Sequence, residues 1–157
     1  MESRQQYDPS RSSQGYLERG LERLKESGFK LTRQRRAILE LFDTEPEHLT
    51  PKEIFERLEP EVASLSLATV YNTLELFEDE EIVARITSDK GETYFDPNVH
   101  PHHHAVCNEC GSIFDMDVED DSLQALAAET EAHDYEETDF DVEEATVWFR
   151  GVCERCR

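Results

Sequence analysis

Apolar residues between positions 16 and 95 recur first with a helical period and then in short alternating runs. A first helix is expected from Tyr16 to about Ser27, closed by Gly28 as a C-terminal stop. Thr32 suits the N-cap of a second, where Ile38, Leu41 and Phe42 share a face. Thr50 and Pro51 open a third helix, running to about Leu58 with Ile54, Phe55 and Leu58 on one side. Ser66 starts a fourth, Leu67 to about Glu78, with Leu67, Val70, Tyr71, Leu74 and Phe77 as its apolar positions. Two extended runs follow, Ile82 to Ile86 and Glu92 to Phe95, around an Asp89-Lys90-Gly91 turn, and they read as a hairpin. Helices followed by a hairpin, with one helix free to enter a groove, make a winged helix-turn-helix.

Past Asp96 the pattern changes. Ala105-Val106 and Ser112 to Met116 read as strands, residues 119–132 as a helix with Leu123, Leu126 and Ala127 on one face, and Ala145 to Phe149 as a further strand. The expected class is α+β: a polar, disordered tail over 1–15, a winged-helix DNA-binding domain over 16–90, and a small α/β domain over 91–157, the boundary lying near residues 87–96.

Charge complicates a DNA-binding reading. The chain of 157 residues carries a formal net charge of −21. Residues 1–87 hold 12 Lys and Arg against 18 Asp and Glu, whereas residues 88–157 hold 4 against 19. Within 16–36 the balance reverses, with Arg19, Arg23, Lys25, Lys30, Arg33, Arg35 and Arg36 facing only Glu18, Glu22 and Glu26. That segment is either a phosphate-binding surface or a solvated helix face with ordinary ion pairs. Acid-heavy surfaces keep proteins soluble where salt screens charge, which points to a cytoplasm of high ionic strength, as in a halophile. No apolar run is long enough for a membrane span, and the N-terminus lacks the apolar core of a signal peptide, so a cytoplasmic protein is expected.

In that setting paired cysteines serve metals more often than disulfides. Cys107 and Cys110 form one Cys-x-x-Cys clip, and Cys153 and Cys156 form another 42 residues later. Four thiolates in two clips are the ligand set of a closed structural zinc site. The intervening length fits a strand, a helix and a strand that bring the terminus back. The run His100-Pro101-His102-His103-His104 beside the first clip suggests a second metal with a different role. An alternating strand would turn His102 and His104 to one side and His103 to the other, toward solvent or another site.

Three stretches together resemble the ferric uptake regulator (Fur) family of dimeric, metal-dependent transcription regulators. They are Gly28 to Arg35, Ser66-Leu67-Ala68-Thr69-Val70-Tyr71-Asn72-Thr73-Leu74, and His102 to Gly111, with the second clip matching as well. The resemblance implies a homodimer whose smaller domain dimerises, and a regulatory metal between the two domains. Its ligands would be His48, Asp96, His102, His104 and Asp115. That N/O set suits Fe(II) or Mn(II), with Zn(II) as a third candidate. Asp at 115, where iron-uptake sensors usually carry Glu, resembles the peroxide-sensing (PerR-like) branch, in which residues matching His48 and His102 are oxidised. Two positions depart from the family. Ala145 replaces a ligand of a further metal site, and Glu81 stands where the turn after the recognition helix usually has Gly.

For double-stranded operator DNA, Ser66, Thr69, Tyr71 and Asn72 lie near the start of the recognition helix. Tyr71 suits a thymine methyl, or else packs in the core, and Asn72 suits adenine. By resemblance Lys30 reaches the minor groove, while Arg35 is either a phosphate contact or a structural partner. The expected function is a repressor sensing iron, manganese or peroxide. A zinc-sensing uptake regulator is the nearest alternative and a zinc hydrolase the distant one. The deaminase and His-Glu-x-x-His signatures are absent, so no enzymatic activity is expected.

Overall fold

The computed structural model describes residues 15–88, 90–116, 118 and 146–157. The tail over 1–14, Asp89 of the expected turn, and the helix expected over 119–132 lie outside the described residues. The chain divides into two compact units, Met1–Val99 and His100–Arg157. The hairpin therefore belongs whole to the first unit.

That unit contains helices α1 (Tyr16–Glu26), α2 (Arg33–Thr44), α3 (Pro51–Leu58) and α4 (Leu67–Asp79), then strands β1 (Ala84–Thr87) and β2 (Thr93–Asp96). Local chemistry sets the helix starts. Thr32 Oγ1 accepts from the Arg35 amide, and Ser66 Oγ accepts from the Thr69 amide. Thr50 and Glu53 form a reciprocal capping box with Pro51 at the first helical position. Each cap contributes about 1 kcal/mol.

The core gathers Ile38, Leu39 and Phe42 of α2, Ile54 of α3, Val70, Leu74 and Phe77 of α4, and Phe95 of β2, all essentially inaccessible. Tyr16 joins them, and its hydroxyl donates to the Ile82 carbonyl at 3.1 Å. Burial pushes that phenol far above its ordinary range. Two positions of α4 expected to face inward do not. Leu67 and Tyr71 are 39% and 47% exposed. At about 100° per residue they fall outside the arc shared by Val70, Thr73, Leu74 and Phe77.

Two helices end in the same way. At α1, Gly28 has φ 77, with its amide bonded to the Lys25 carbonyl and the Phe29 amide to the Leu24 carbonyl. At α4 the equivalent position is Glu81, with φ 55, its amide on Glu78 and the Ile82 amide on Phe77. Both are Schellman caps, and only the second places a side chain in the left-handed region. That conformation costs a non-glycine residue about 1–2 kcal/mol. Glu81→Gly is therefore expected to stabilise the first unit by roughly 1 kcal/mol, less the extra chain entropy of glycine. A thermal melt checks it, and an unchanged or lower Tm would mean the cap is not strained.

The described residues of the second unit form a three-stranded sheet in the order β4-β3-β5, from β3 (His103–Cys107), β4 (Ile113–Met116) and β5 (Trp148–Gly151). β4 runs antiparallel to the central β3, and β5 runs parallel to it. A short 3-10 turn over Glu154–Cys156 ends the chain.

Candidate metal centres and nucleic-acid interface

The cysteine centre is built from strand ends. β3 delivers Cys107, and the chain reverses through a turn closed by the Gly111 amide on the Cys107 carbonyl at 2.9 Å. Gly111 has φ 75, which a side chain would resist. β5, paired with β3 in register Cys107↔Gly151, brings Cys153 alongside, and its amide lies 3.4 Å from Cys107 Sγ. All four Sγ atoms lie within 4.8 Å of one another. Sulfurs about 2.3 Å from a tetrahedral zinc stand about 3.8 Å apart. Cys110 Sγ and Cys153 Sγ are 3.8 Å apart, and all four cysteines are free of disulfides. The donor set therefore fits zinc.

The thiols are electrostatically uneven. The Cys110 and Cys153 amides hold the Cys107 thiol down at about 6, and contacts with Ser112 lower Cys110. Cys156 is pushed up to about 12 by sharing hydrogen bonds with Cys153 and Cys110. Four like charges this close need a divalent cation before all can ionise.

The first unit places one histidine and one carboxylate together. Leu49 and Phe95, both buried, form an isolated antiparallel bridge, with amide-to-carbonyl distances of 3.1 and 2.8 Å. Bridging residue 49 to residue 95 sets residue 48 opposite residue 96. His48 Nε2 consequently lies 3.3 Å from Asp96 Oδ2. The other Asp96 oxygen accepts from the Asn98 amide at 2.8 Å, which fixes the carboxylate.

The second unit carries a matching arrangement. His104 faces Asp115 across β3 and β4 and Trp148 across β3 and β5. Its ring stacks on Trp148 with centroids 5.0 Å apart. His102, two residues earlier on the same face, has its ring centroid 4.3 Å from that of His104 and its Nε2 3.2 Å from Asp115 Oδ1. His102 Nδ1 lies 2.7 Å from the His100 carbonyl, which can only accept, so Nδ1 carries the proton. Nε2 then faces the carboxylate either as a second N–H or as a lone pair beside a cation. Ligands about 2.1 Å from one ion stand about 3.0–3.4 Å apart, which matches both His–Asp pairs.

His103 corrects one of its two expected placements, solvent. It does turn to the other face of β3, but that face is covered there: His103 is 8% exposed and its Nδ1 accepts from the Val147 amide at 3.3 Å. Spacing alone also gave no sign of Trp148 as the stacking partner of His104, because only the β3–β5 register brings them together.

The residues expected to meet DNA are placed by the first unit as follows. Ser66, Tyr71 and Asn72 are exposed and Thr69 half-buried at the start of α4, and Ser66 is at the same time the helix cap. Tyr71 is not a core residue. Lys30 is exposed. The Arg35 guanidinium donates to the Lys30 carbonyl at 2.7 Å and lies over the Phe29 ring, so it fixes the loop that presents Lys30. Arg23 donates to the Glu80 carbonyl, Arg33 to the Glu61 carbonyl, and Arg36 pairs with Glu40. Among the described residues no helix is long and apolar enough to cross a membrane.

These features agree with known proteins. The ferric uptake regulator family pattern matches residues 26–147. The peroxide-responsive repressor PerR of Staphylococcus aureus is 34% identical over 142 residues, covering 90% of this chain and 91% of that protein. The Vibrio cholerae ferric uptake regulator superposes with a TM-score of 0.66 at 27% identity, over 84% of this chain and 98% of that one. PerR from Streptococcus pyogenes, described for peroxide sensing and gene regulation, superposes with a TM-score of 0.51 at 33% identity, over 90% and 93%. With two metal-ligand constellations, the capped helix α4 and this likeness along most of its length, the chain belongs to the ferric uptake regulator family of metal-responsive transcription regulators.

Proposed function

We propose that the protein is a homodimeric, cytoplasmic repressor whose grip on operator DNA is set by one regulatory metal, Fe(II) or Mn(II), while a permanent zinc on Cys107, Cys110, Cys153 and Cys156 holds the second unit together. The carrying observation is the pair of matched His–carboxylate arrangements, His48 with Asp96 and His102 with Asp115, each with the spacing of two ligands on a single ion. One imidazole and one carboxylate make a weak site alone. Asp96 and His102 are separated by only five residues, so the linking chain keeps the two sets within reach of one ion. With His104 added, five N/O donors suit a borderline-hard divalent metal. A metal held by both units fixes the angle between them, and in a dimer that angle sets the spacing of the two α4 helices. The expected test is a gel shift of a duplex from the protein's own upstream region. Retardation with Mn(II) that disappears with chelator supports the reading, and retardation indifferent to metal contradicts it.

Peroxide sensing is the finer reading, favoured by Asp115 and by the likeness to PerR proteins. Iron-loaded protein exposed to peroxide is expected to gain 16 Da, about the mass of one oxygen atom, on peptides containing His48 or His102. Unmodified peptides after loss of DNA binding would point to another signal.

The acidic composition supports a working environment of high ionic strength. At least five of the seven cations in 16–36 are engaged with protein groups, Arg19 among them. Few phosphate contacts remain for α1 and α2 to make. The slope of log K against log salt is expected to be shallower than about −4 for the dimer, against about −5 to −9 for proteins making 6–10 phosphate contacts. Binding titrations across a salt series measure it, and a steep slope would show that phosphate contacts dominate.

A further inference from the structure

The exposed face of α4 carries no cation. Its sequence, LATVYNTLELFED, contains no lysine or arginine. At about 100° per residue, Ala68, Tyr71, Asn72 and Glu75 share one arc of about 100°, opposite the arc of Val70, Thr73, Leu74 and Phe77. All four are exposed. Their spacing of i, i+3, i+4 and i+7 is the set through which other major-groove helices touch bases. Glu75 sits near the middle of that arc. Among the described residues, Glu78 pairs with Arg85 and Glu80 with Arg23, whereas Glu75 has no hydrogen-bond or ion-pair partner.

An acidic side chain aimed at DNA weakens binding unless it meets a donor. A carboxylate only accepts. The major-groove edge offers two donors, the N6 amino group of adenine and the N4 amino group of cytosine. Adenine places its N7 acceptor beside N6, which repels a second acceptor, whereas cytosine offers N4 without that neighbour. Asn72, which both donates and accepts, matches adenine; Glu75 matches cytosine. Three residues at about 1.5 Å rise separate them by about 4.5 Å, close to one base-pair step of about 3.4 Å.

We propose that Glu75 is a specificity residue that accepts a hydrogen bond from cytosine N4 in each operator half-site, one or two base pairs from the adenine read by Asn72. This rests on the DNA-binding reading above. It makes the missing recognition-helix cation a selective feature: the helix reads base edges, and with a carboxylate on its face it is repelled by sequences that offer none.

The test is selection of binding sites by the Mn(II)-loaded protein from a randomised duplex pool, run side by side with Glu75→Ala and Glu75→Gln. Wild-type sites are expected to hold a cytosine whose replacement weakens binding about 5- to 160-fold, the worth of one good base contact. In Glu75→Ala that preference falls below about 2-fold while preferences elsewhere in the site persist. Glu75→Gln, which adds a donor, shifts it toward adenine. Unchanged preferences in Glu75→Ala, with affinity raised uniformly for all sequences, overturn the inference and leave Glu75 as an electrostatic brake. A wild-type protein that enriches no sequence overturns the DNA-binding reading itself.

Discussion

Serine in place of Cys110 or Cys153 is expected to release the zinc and unfold the second unit. Apolar packing there is thin: among its described residues the buried hydrophobic side chains are Val106, Cys107 and Ile113. Zinc contributes roughly 10–16 kcal/mol to small metal-folded peptides, as much as the roughly 5–15 kcal/mol that typically stabilises a whole domain. A hydroxyl does not replace a thiolate as a ligand at neutral pH, so either substitution opens the site. The first unit has its own core, running from Tyr16 and Leu24 through Phe42 and Phe77 to Phe95, and is expected to keep its helices. Circular dichroism should therefore show retained helix, metal analysis should show lost zinc, and size-exclusion chromatography should show a monomer. A Cys110→Ser protein that keeps one tightly held zinc and the wild-type melting curve would mean that the four cysteines are not a single site.

His48→Ala is expected to abolish the metal response while leaving the fold intact. His48 precedes the Thr50 cap and is held by the Leu49–Phe95 bridge, which is a backbone contact that the substitution does not touch. The variant should melt within about 2 kcal/mol of wild type, since His48 stands outside the hydrophobic core of the first unit and the backbone bridge is untouched. Its effect should fall on coupling. If metal binding favours the DNA-competent arrangement by the usual 1–3 kcal/mol, wild-type affinity for operator rises roughly 5- to 150-fold on metal addition. In His48→Ala that increment is lost and the protein stays at its metal-free affinity. Anisotropy titrations of labelled operator with and without Mn(II) read both quantities. A variant that still responds fully would remove His48 from the regulatory set.

The parts legible in the sequence are those fixed by neighbours along the chain. Thr32, Thr50 and Ser66 announce their helices because an N-cap needs only a side-chain oxygen and amides two or three residues away. The hairpin was legible in kind but not in register. Ile82 and Val83, expected in the first strand, instead pack into the core after the α4 cap, and the strand begins at Ala84. Glu81 shows how composition can hide geometry: the turn needs a left-handed residue, and the chain places an acid where glycine would have marked it. The cysteine clips were readable from spacing, since each clip supplies half a tetrahedron locally. The pairing of His48 with Asp96 was not, because it depends on a bridge between residues 46 apart in sequence, and only resemblance to a family pointed to it. The solvent exposure expected for His103 fails because alternation tells which face a residue takes, not whether that face is covered.

The claim that one metal serves both sets of ligands is tested most directly by a double-mutant cycle on metal-dependent operator affinity, using His48→Ala in the first unit and His102→Ala in the second. A shared ion makes the two substitutions non-additive. Each single variant should lose the whole Mn(II)-induced gain, and the double variant should be no worse than either. Two variants that each lose part of the gain, with losses that sum in the double variant, would show two independent metals and contradict a single ion linking the units.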